Sequence, residues 1–226
     1  MESVPTLEQL VDRAQALADR HERALLGIAG PPGAGKSTLA TALVTALTAR
    51  QGEKTACYVP MDGFHLANCE LERLGRRDRK GALDTFDAAG YVALLGRLRN
   101  QTDDVVYAPQ FRREIEEPIA GALAIPRDVR LIVTEGNYLL VDTGPWRAVR
   151  TLLDETWYLD PPTKVRHARL IARHQEYGKT AEQARAWALG SDERNAGVVA
   201  ATRHRADLLI PGSVSFLSTT PRLASK

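Results

Sequence analysis

The residues best suited to chemistry lie near the start of the chain, between Gly30 and Ser37. They match the pattern G-x-x-x-x-G-K-[ST], which forms a phosphate-binding loop in proteins that use nucleoside triphosphates. Glycines in such a loop let the backbone turn tightly, so that its N–H groups point at phosphate oxygens. The ammonium of Lys36 can reach the β- and γ-phosphates, and the hydroxyl of Ser37 can bind Mg²⁺. The predicted nucleotide-binding residues are Gly30, Gly33, Ala34, Gly35, Lys36, Ser37 and Thr38.

The segments on either side of the loop have the properties that such a loop requires. Residues 25–29 (Leu-Leu-Gly-Ile-Ala) predict a buried strand that runs into the loop. Apolar residues recur at helical spacing from Leu39 to Leu47, and Gly52 ends that pattern, so a helix is predicted directly after the loop. A helix N-terminus beneath the loop favours an anion. The order of strand, loop and helix argues against a chance glycine-rich turn.

Length and composition limit the class of protein. A chain of 226 residues suits one α/β domain, so we expect a single domain over residues 1–226. The 30 basic and 28 acidic side chains nearly balance, which gives no electrostatic reason to expect nucleic acid or membrane partners. Cys57 and Cys69 form neither a disulfide framework nor a metal-binding pattern. With no visible signal peptide and no membrane-spanning run, these features predict a cytoplasmic protein.

Hydrophobic spacing predicts the other elements of an α/β fold. An amphipathic helix is expected over residues 6–22, beginning with a capping box formed by Thr6 and Gln9. Helices are also predicted after Asp87 and after Thr180, whereas residues 191–195 break the helical pattern. The further predicted strands are 55–61, 131–136, 155–159 and 206–210, with a short one at 214–217 before a loose tail from 221.

Two acidic residues follow predicted strands, where the ligands of open α/β sheets gather. Asp62 comes directly after the second strand, and its carboxylate can accept the proton of a substrate hydroxyl that attacks a phosphate. The alternative is that Asp62 caps the turn. Glu135 ends an apolar run, where a charge is costly without a partner, so we expect it to hold Mg²⁺ with Ser37. His65 can contact substrate, although a packed or solvated histidine explains its position equally well.

Two basic segments can face the phosphates or the substrate. The first contains Arg73, Arg76, Arg77, Arg79 and Lys80. It is either a solvated surface or a mobile segment that binds an anionic group of ATP or substrate. The second is a helix after residue 162 with three arginines on one face, at positions i, i+3 and i+7: Arg166, Arg169 and Arg173. We expect residues 162–180 to form a lid that stabilises charge on the γ-phosphate. The alternative is a solvated basic helix.

A short extended piece from Val105 to Arg113 lies between the predicted helix and the third strand. It contains Pro109 and is followed by Glu114 and Pro118, which indicates irregular or edge structure. Such a piece can form one wall of a substrate pocket.

Four motifs in this order resemble the uridine kinase, phosphoribulokinase and bacterial pantothenate kinase superfamily. They are the phosphate-binding loop, Met-Asp-Gly-Phe-His at 61–65, Arg-Lys-Gly with Asp-Thr-Phe-Asp at 79–87, and Glu-Gly-Asn-Tyr-Leu-Leu at 135–140. The resemblance covers about residues 22–212 and is strongest to the bacterial branch labelled nucleoside/nucleotide kinase or fructose-transport-system kinase. It implies a P-loop NTPase fold, which is a three-layer α/β/α sandwich with a five-stranded parallel sheet and a helical lid.

The resemblance also implies transfer of the ATP γ-phosphate to a hydroxyl of a small metabolite, such as a sugar, a nucleoside or a pantothenate-like alcohol. Asp62 matches the general base of the family, and Glu135 matches the acidic residue by the metal. The implied catalytic residues are Asp62, Lys36, Arg169 and Arg173, with Arg166 on the nucleotide. Further predicted substrate contacts are His65, Lys80, Tyr107, Arg113 and Asn137. Relatives are often dimers or tetramers, so a homodimer is also considered.

One position departs from the family pattern. Relatives of this branch commonly carry Pro-x-Phe-Asp-Arg, whereas Phe111 is followed here by Arg112 and Arg113. A positive charge therefore replaces a negative one near the predicted acceptor site, so the family label alone does not identify the substrate of this chain.

Two other functions compete with that of a kinase. The first is a nucleotide-dependent switch or assembly ATPase, which would hydrolyse ATP slowly and act on a protein partner. The chain has no evident effector domain, and it has an aspartate at the acceptor position, which argues against a switch. The second is a degenerate nucleotide binder, which the intact Lys36, Ser37, Asp62 and Glu135 argue against.

Overall fold

The computed structural model describes residues 4–211, and a parallel β-sheet forms its centre. The strands are β1 (Ala24–Ala29), β2 (Ala56–Pro60), β3 (Val105–Arg112), β4 (Glu117–Pro126), β5 (Leu131–Gly136), β6 (Glu155–Asp160) and β7 (Leu208–Pro211). Within the described residues, five of them form one parallel sheet in the spatial order β2-β5-β1-β6-β7. β3 and β4 form a separate antiparallel hairpin. The predicted five-stranded parallel sheet is confirmed.

Helices cover both faces of the sheet, as predicted for a three-layer α/β/α sandwich. They are α1 (Leu7–Arg20), α2 (Lys36–Gln51), α3 (Asn68–Arg73), α4 (Ala88–Arg99), α5 (Arg147–Leu152), α6 (Thr163–Glu176), α7 (Ala181–Leu189) and α8 (Ser191–Ala200). α1 and α2 pack on one face, where Leu39 joins a buried cluster with Ile28. α4 and α5 pack on the other face, where Tyr91 joins a cluster with Leu25. Alternate residues of β1 therefore contribute to two separate cores.

Local capping determines where α1 begins. The N–H of Gln9 donates to Thr6 Oγ1 (3.2 Å), and the N–H of Thr6 donates to Gln9 Oε1 (2.8 Å). This is the predicted capping box, which satisfies N–H groups that the helix itself leaves without partners. The helix ends at Arg20 because His21 is already extended, so the predicted end at residue 22 is two residues too late.

The hairpin formed by β3 and β4 replaces the irregular piece predicted after residue 105. β4 contains Pro118, Gly121 and Pro126, which normally argue against a strand. Here these residues are tolerated because β4 pairs only with β3 among the described residues, so a missing N–H on its other edge removes no ladder hydrogen bond. Sequence spacing alone does not distinguish this edge strand from a loop.

The predicted break at residues 191–195 is wrong, because these residues form the first turns of α8. Asp192 and Glu193 lie near the helix N-terminus, where negative charge is favourable. Both carboxylates face α6: His174 lies 2.8 Å from Asp192, and Arg166 donates to Glu193 at 2.8 Å. Polar contacts therefore hold the first turn, and the buried apolar residues Ala196 and Val199 come only later in the helix, which is why hydrophobic periodicity misses its start.

Two further expectations concern the ends of the chain and membranes. The short strand predicted at 214–217 and the tail from 221 lie outside the described residues. Between residues 4 and 211, none of the helices is both long enough and apolar enough to span a bilayer.

Candidate active site

The carboxyl ends of three neighbouring strands bring the predicted catalytic residues together. The phosphate-binding loop follows β1, Asp62 follows β2, and Glu135 lies at the end of β5. The register of the sheet places Glu135 beside Ile28 of β1 and beside Pro60 of β2. Because β5 lies between β1 and β2, residues far apart in the sequence meet at one edge of the sheet.

The phosphate-binding loop leads directly into α2. Gly35 has φ 96° and Gly33 has φ 78°, both in the left-handed region that favours glycine. A Cβ on Gly33 would also lie 2.9 Å from the carbonyl oxygen of Arg166, so α6 can approach the loop only if this residue is glycine. Gly35 offers no side chain to cap α2, so the first N–H groups of the helix suit phosphate oxygens.

Lys36 is buried at the start of α2 and is held by two neutral acceptors. Its Nζ donates to Asn137 Oδ1 (2.7 Å) and to the carbonyl of Pro31 (3.2 Å). Burial lowers the pKa of Lys36 to about 8, although the charges of Glu135 and Asp62 favour its protonated form. Asn137, which we predicted to contact substrate, therefore positions the lysine in this structure.

Ser37 and Glu135 come together as predicted for a metal site. Ser37 Oγ (3.0 Å) and the hydroxyl of Tyr58 (2.6 Å) both donate to Glu135 Oε1. Burial, and then the nearby charge of Asp62, raise the pKa of Glu135. A hydroxyl and a carboxylate fit Mg²⁺, which binds hard oxygens and commonly uses one or two carboxylates with water and phosphates. Among the described residues, no group of three or more acidic, histidine or cysteine side chains could hold a metal ion.

Tyr58 is a site residue that the sequence analysis missed. The period of two along a strand gives the signal that could have found it, because Tyr58 and Pro60 lie on the same face of β2 and Asp62 continues that spacing. Its hydroxyl is the polar tip of a half-buried ring and reaches the carboxylate of the neighbouring strand.

Asp62 lies in a short 3-10 turn directly after β2. Arg113 Nη2 donates to Asp62 Oδ2 at 3.1 Å, and Nε2 of His65 lies 4.0 Å from Oδ1. Burial opposes ionisation of Asp62, but neighbouring charges, that of Arg113 foremost, outweigh it and hold the pKa below its usual value. The carboxylate is therefore ionised at neutral pH and available as a proton acceptor.

His65 is buried beside Asp62 among aromatic rings. Its ring stacks on Phe86 with centroids 4.0 Å apart and tilts against Phe111 at 4.8 Å. Burial lowers the pKa of His65 to about 4, so the imidazole is neutral at pH 7. Its Nδ1 is buried and has no hydrogen-bond partner among the described residues. The imidazole is therefore packed as a largely apolar ring, and the described residues leave the hydrogen-bonding capacity of its Nδ1 unsatisfied.

The hairpin formed by β3 and β4 carries Arg113 to Asp62. A Cβ at Gly63 would lie 2.3 Å from the carbonyl oxygen of Pro109, so glycine is needed where the hairpin packs on the turn that holds Asp62. The Nζ of Lys80 donates to Asn68 Oδ1 (2.6 Å) and to the backbone carbonyl of Glu116. Lys80 thus connects the tip of the hairpin to the basic segment.

Two residues of the hairpin do not lie where the sequence analysis expected them. Tyr107, a predicted substrate contact, is 61% exposed and lines neither of the cavities described below. Arg112, the departure from the family pattern, is also exposed on β3. The expectation that this charge change lies at the acceptor site is wrong, because Arg112 ends β3 on the surface, whereas Arg113, the first residue of the following turn, donates to Asp62.

The three arginines of α6 have different surroundings. Arg166 is buried, and its guanidinium donates to the carbonyl of Pro32 (3.2 Å) and to Glu193 (2.8 Å). Arg169 donates to the carbonyl of Ala34 at 3.2 Å. Arg173 makes no side-chain hydrogen bond within residues 4–211 and faces open space. α6 is therefore attached to the loop through its first turns, and Arg173 is the arginine most available to a ligand.

Two adjoining cavities open at this edge of the sheet. We call the first, of about 330 Å³, the loop cavity, since residues 33–38 line it together with Arg169. We call the second, of about 190 Å³, the Asp62 cavity; His65 and Lys80 also line it. The two cavities share Gly33, Lys36, Ser37, Arg113 and Arg173. This arrangement places a phosphate-binding site and an aspartate on two sides of one common wall.

Comparison with known proteins agrees with this geometry. The pattern of the Phosphoribulokinase / Uridine kinase family matches residues 25–215. The protein named "Putative uridine kinase C227.14" from Schizosaccharomyces pombe is 35% identical over 184 residues, which cover 80% of this chain and 78% of that protein. A pantothenate kinase from Mycolicibacterium vanbaalenii is 29% identical over 155 residues, which cover 69% of this chain and 49% of that protein.

Solved structures support the same assignment. The structure named "putative fructose transport system kinase" from Silicibacter sp. TM1040 matches with a TM-score of 0.79 and 38% identity, covering 88% of this chain and 98% of that one. The P-loop fold and the resemblance seen in the four motifs are both confirmed. The chain therefore belongs to the phosphoribulokinase / uridine kinase family and is a P-loop kinase.

Proposed function

We propose that this protein transfers the γ-phosphate of ATP to a hydroxyl group of a small metabolite. The observation that carries the proposal is that Asp62 lines the same cavity as the phosphate-binding residues Lys36 and Ser37. A hydroxyl bound in the Asp62 cavity would lie between a proton acceptor and a phosphate site. An ATPase that only hydrolyses nucleotide does not need a second cavity of this kind.

The residues of the loop cavity fit ATP and Mg²⁺. Lys36 and the N–H groups at the start of α2 would hold the β- and γ-phosphates. Ser37 and Glu135 would hold Mg²⁺, which, when bound, neutralises charge on the phosphates. The hydrogen bond from Tyr58 keeps the Glu135 carboxylate directed at Ser37. Arg173 faces both cavities and supplies positive charge where the transferred group passes.

Asp62 acts on the acceptor. Its ionised carboxylate orients the hydroxyl and accepts its proton during transfer. Arg113 keeps the carboxylate ionised and directs it through one hydrogen bond. His65 cannot compete for the proton at neutral pH, because its own pKa is about 4, so it serves as a neutral wall of the acceptor site.

The acceptor is a compound with a free hydroxyl, and sugars, nucleosides and pantothenate-like alcohols are the first candidates. The names of the related proteins, which mention uridine, pantothenate and fructose transport, support this range. Four of the five predicted substrate contacts, His65, Lys80, Arg113 and Asn137, line the Asp62 cavity, which also supports an acceptor at this place.

The test is ADP release from Mg²⁺-ATP against a panel of sugars, nucleosides, pantothenate and related alcohols, with Lys36→Ala as the blank. We expect one compound class to raise ADP release sharply in the natural protein and not in the blank. A slow release of ADP that no compound accelerates would contradict the proposed kinase activity. Acceleration by a protein fraction instead would favour a switch ATPase.

A further inference from the structure

The Asp62 cavity is richer in positive than in negative charge. Its lining includes six basic side chains: Lys36, Arg77, Lys80, Arg113, Arg173 and Lys179. Only four acidic side chains of the described residues line it, namely Asp62, Glu116, Glu135 and Asp192. Three of these four have a polar partner: Asp62 has Arg113, Glu135 has two hydroxyls, and Asp192 has His174.

Three of the basic side chains line this cavity but not the loop cavity. Lys36, Arg113 and Arg173 also line the loop cavity, so ATP phosphates account for them. Arg77, Lys80 and Lys179 line the Asp62 cavity and not the loop cavity. We call these three residues the cationic wall. Since they lie on the acceptor side, the phosphates bound by the loop do not explain them.

The structure separates the basic segment at 73–80 into paired and unpaired charges. Arg73 pairs with Glu70 at 2.6 Å, and Arg76 and Arg79 both pair with Asp84, at 3.5 and 2.9 Å. These surface arginines need no ligand to explain them. Arg77 and Lys80, which face the cavity, have no carboxylate within ion-pair distance among residues 4–211. The solvated-surface alternative therefore fits Arg73, Arg76 and Arg79, whereas contact with an anionic group stays a prediction for Arg77 and Lys80.

Lys80 and Lys179 are both held by neutral groups. Lys80 is only 8% exposed, and its ammonium binds two neutral oxygens, one from Asn68 and one from the backbone of Glu116. The Nζ of Lys179 lies 5.1 Å from the ring centroid of Trp187. Burial lowers the pKa of Lys80, although the charges of Glu116 and Glu117 favour its protonated form. An anionic ligand in direct contact would offset the cost of burying this ammonium.

The lid brings Lys179 next to the segment that carries Arg77. Lys179 and Asp78, the neighbour of Arg77 in the chain, line one groove on the surface. On this side of the cavity, the three positive charges of the cationic wall face two carboxylates, those of Glu116 and Asp192. The net charge on this side of the cavity is thus positive.

We propose that the acceptor carries, besides its hydroxyl, an anionic group that the cationic wall binds. The group is a phosphate ester or a carboxylate, because arginine and lysine bind both. This inference rests on the proposed kinase function and narrows its acceptor to sugar phosphates, nucleotides or hydroxy acids. Neutral sugars and nucleosides would leave the cationic wall without a counter-charge.

The first experiment measures anion binding without any turnover. The natural protein is saturated with Mg²⁺ and a non-hydrolysable ATP analogue, so that the loop cavity is filled, and is then titrated by calorimetry with inorganic phosphate and separately with acetate. Loss of one charge-assisted donor weakens such binding by about tenfold or more. We therefore expect Arg77→Gln to weaken anion binding by at least about tenfold.

The matched control is Arg73→Gln, which makes the same change of charge on the neighbouring helix, where Arg73 pairs with Glu70 on the surface. It should leave anion binding unchanged. Lys179→Gln is a second variant that removes a different donor and should also weaken binding. Tighter binding of phosphate indicates a phosphate ester as the acceptor, whereas equal or tighter binding of acetate indicates a carboxylate. Absence of binding, or equal binding by Arg77→Gln, would overturn the proposal.

The second experiment compares acceptors in matched pairs, each pair differing only in the anionic group: a sugar with its phosphate, a nucleoside with its monophosphate, and pantothenate with its neutral alcohol. We expect ADP release with anionic members, and a KM for them that rises at least about tenfold in Arg77→Gln. Rapid turnover of a neutral member, unaffected by Arg77→Gln, would overturn the anionic acceptor and leave the kinase intact. Absence of turnover with every member would contradict the proposed kinase activity. The calorimetric experiment would still show whether the cationic wall binds an anion, because it does not depend on turnover.

Discussion

Burial and neighbouring charges give three side chains of the site acid–base properties that differ from those they have in water. The pKa of Lys36 is lowered by burial, that of His65 is lowered by burial, and that of Asp62 is lowered because Arg113 outweighs the effect of burial. Near neutral pH, these shifts leave a charged lysine, an ionised aspartate and a neutral histidine. This is the combination that transfer from ATP to a hydroxyl requires.

Asp62→Asn should lower kcat by about 10² to 10⁴-fold, because an amide cannot accept the proton of the acceptor. ATP affinity should stay nearly unchanged, since the amide that replaces the carboxylate retains an oxygen that can accept from Arg113. Steady-state kinetics and calorimetric titration with the ATP analogue measure the two effects. Asp103→Asn, at an exposed ion pair with Arg97, is the control and should change neither. Equal losses of kcat and ATP affinity would count against Asp62 as the base.

ATP affinity should fall as the pH rises above about 8, because Lys36 loses its charge there in the free protein. The fall approaches tenfold per pH unit when one proton is involved. Calorimetric titration between pH 7 and about 9.5, at constant ionic strength, measures it. Ser37→Ala should bind ATP more weakly, but the midpoint of its pH profile should be the same as in the natural protein. A flat profile would show that Lys36 keeps an ordinary pKa.

At the scale of elements, α6 and the β3–β4 hairpin complete the site that the sheet edge begins. α6 is anchored to the loop by hydrogen bonds from Arg166 and Arg169, so the part of the lid next to the loop is already in place. The hairpin is anchored by the contact of Pro109 with Gly63 and by Lys80. These anchors allow Arg173 and Arg113 to face the common wall of the two cavities.

Two arginines of α6 should respond differently to the same substitution. Arg173→Gln should lower kcat by about 10² to 10³-fold, as when one charge-stabilising donor is removed, with little effect on folding. Arg166→Gln should lower the free energy of unfolding by about 1–3 kcal/mol, because the buried carbonyl of Pro32 loses its donor. Kinetics and chemical denaturation of both variants measure these effects. A stable Arg166→Gln with lowered ATP affinity would instead support the nucleotide contact predicted for Arg166.

At the scale of the whole molecule, global stability should depend on the protonation of a buried histidine. The pKa of His65 is about 4 in the folded protein, against 6.5 for an unperturbed histidine. Between these values the unfolded chain binds a proton that the folded protein does not, so stability falls as the pH drops from about 6.5 to 4. The loss amounts to about 3 kcal/mol at 1.36 kcal/mol per pKa unit.

His65→Phe should remove this part of the pH dependence, because phenylalanine keeps the packing on Phe86 without a titrating group. The measurement is chemical denaturation at pH 7 and at pH 4, comparing the variant with the natural protein. His204→Gln, at an exposed histidine, should leave the pH dependence as it is. If the free energy of unfolding of His65→Phe falls between pH 7 and pH 4 as much as that of the natural protein, other groups cause the acid sensitivity.

Features that depend on local chain geometry can be predicted from the sequence. The phosphate-binding loop requires glycines at particular positions, and hydrophobic spacing together with the Thr6 capping box predicts the helices and strands around it. The order of strands, loops and acidic residues along the chain also placed Asp62 and Glu135 at carboxyl ends of strands. Family resemblance then gave the parallel sheet, which the structure confirms.

The tertiary structure decided which side chains face each other, because those contacts depend on pairing between distant segments. Pairing of β2 with β5 brings Tyr58 to Glu135, and the turn of the hairpin, which begins at Arg113, brings this residue rather than Arg112 to Asp62. Polar side chains on α6 hold the first turn of α8, where the sequence has no apolar residue to reveal the helix. The packing of the basic segment against the hairpin and lid turns Lys80 inward and leaves its neighbours paired on the surface. The sequence by itself thus determined the phosphate-binding loop, whereas only the fold determined the charge of the Asp62 cavity, since that charge is the sum over side chains from separate elements.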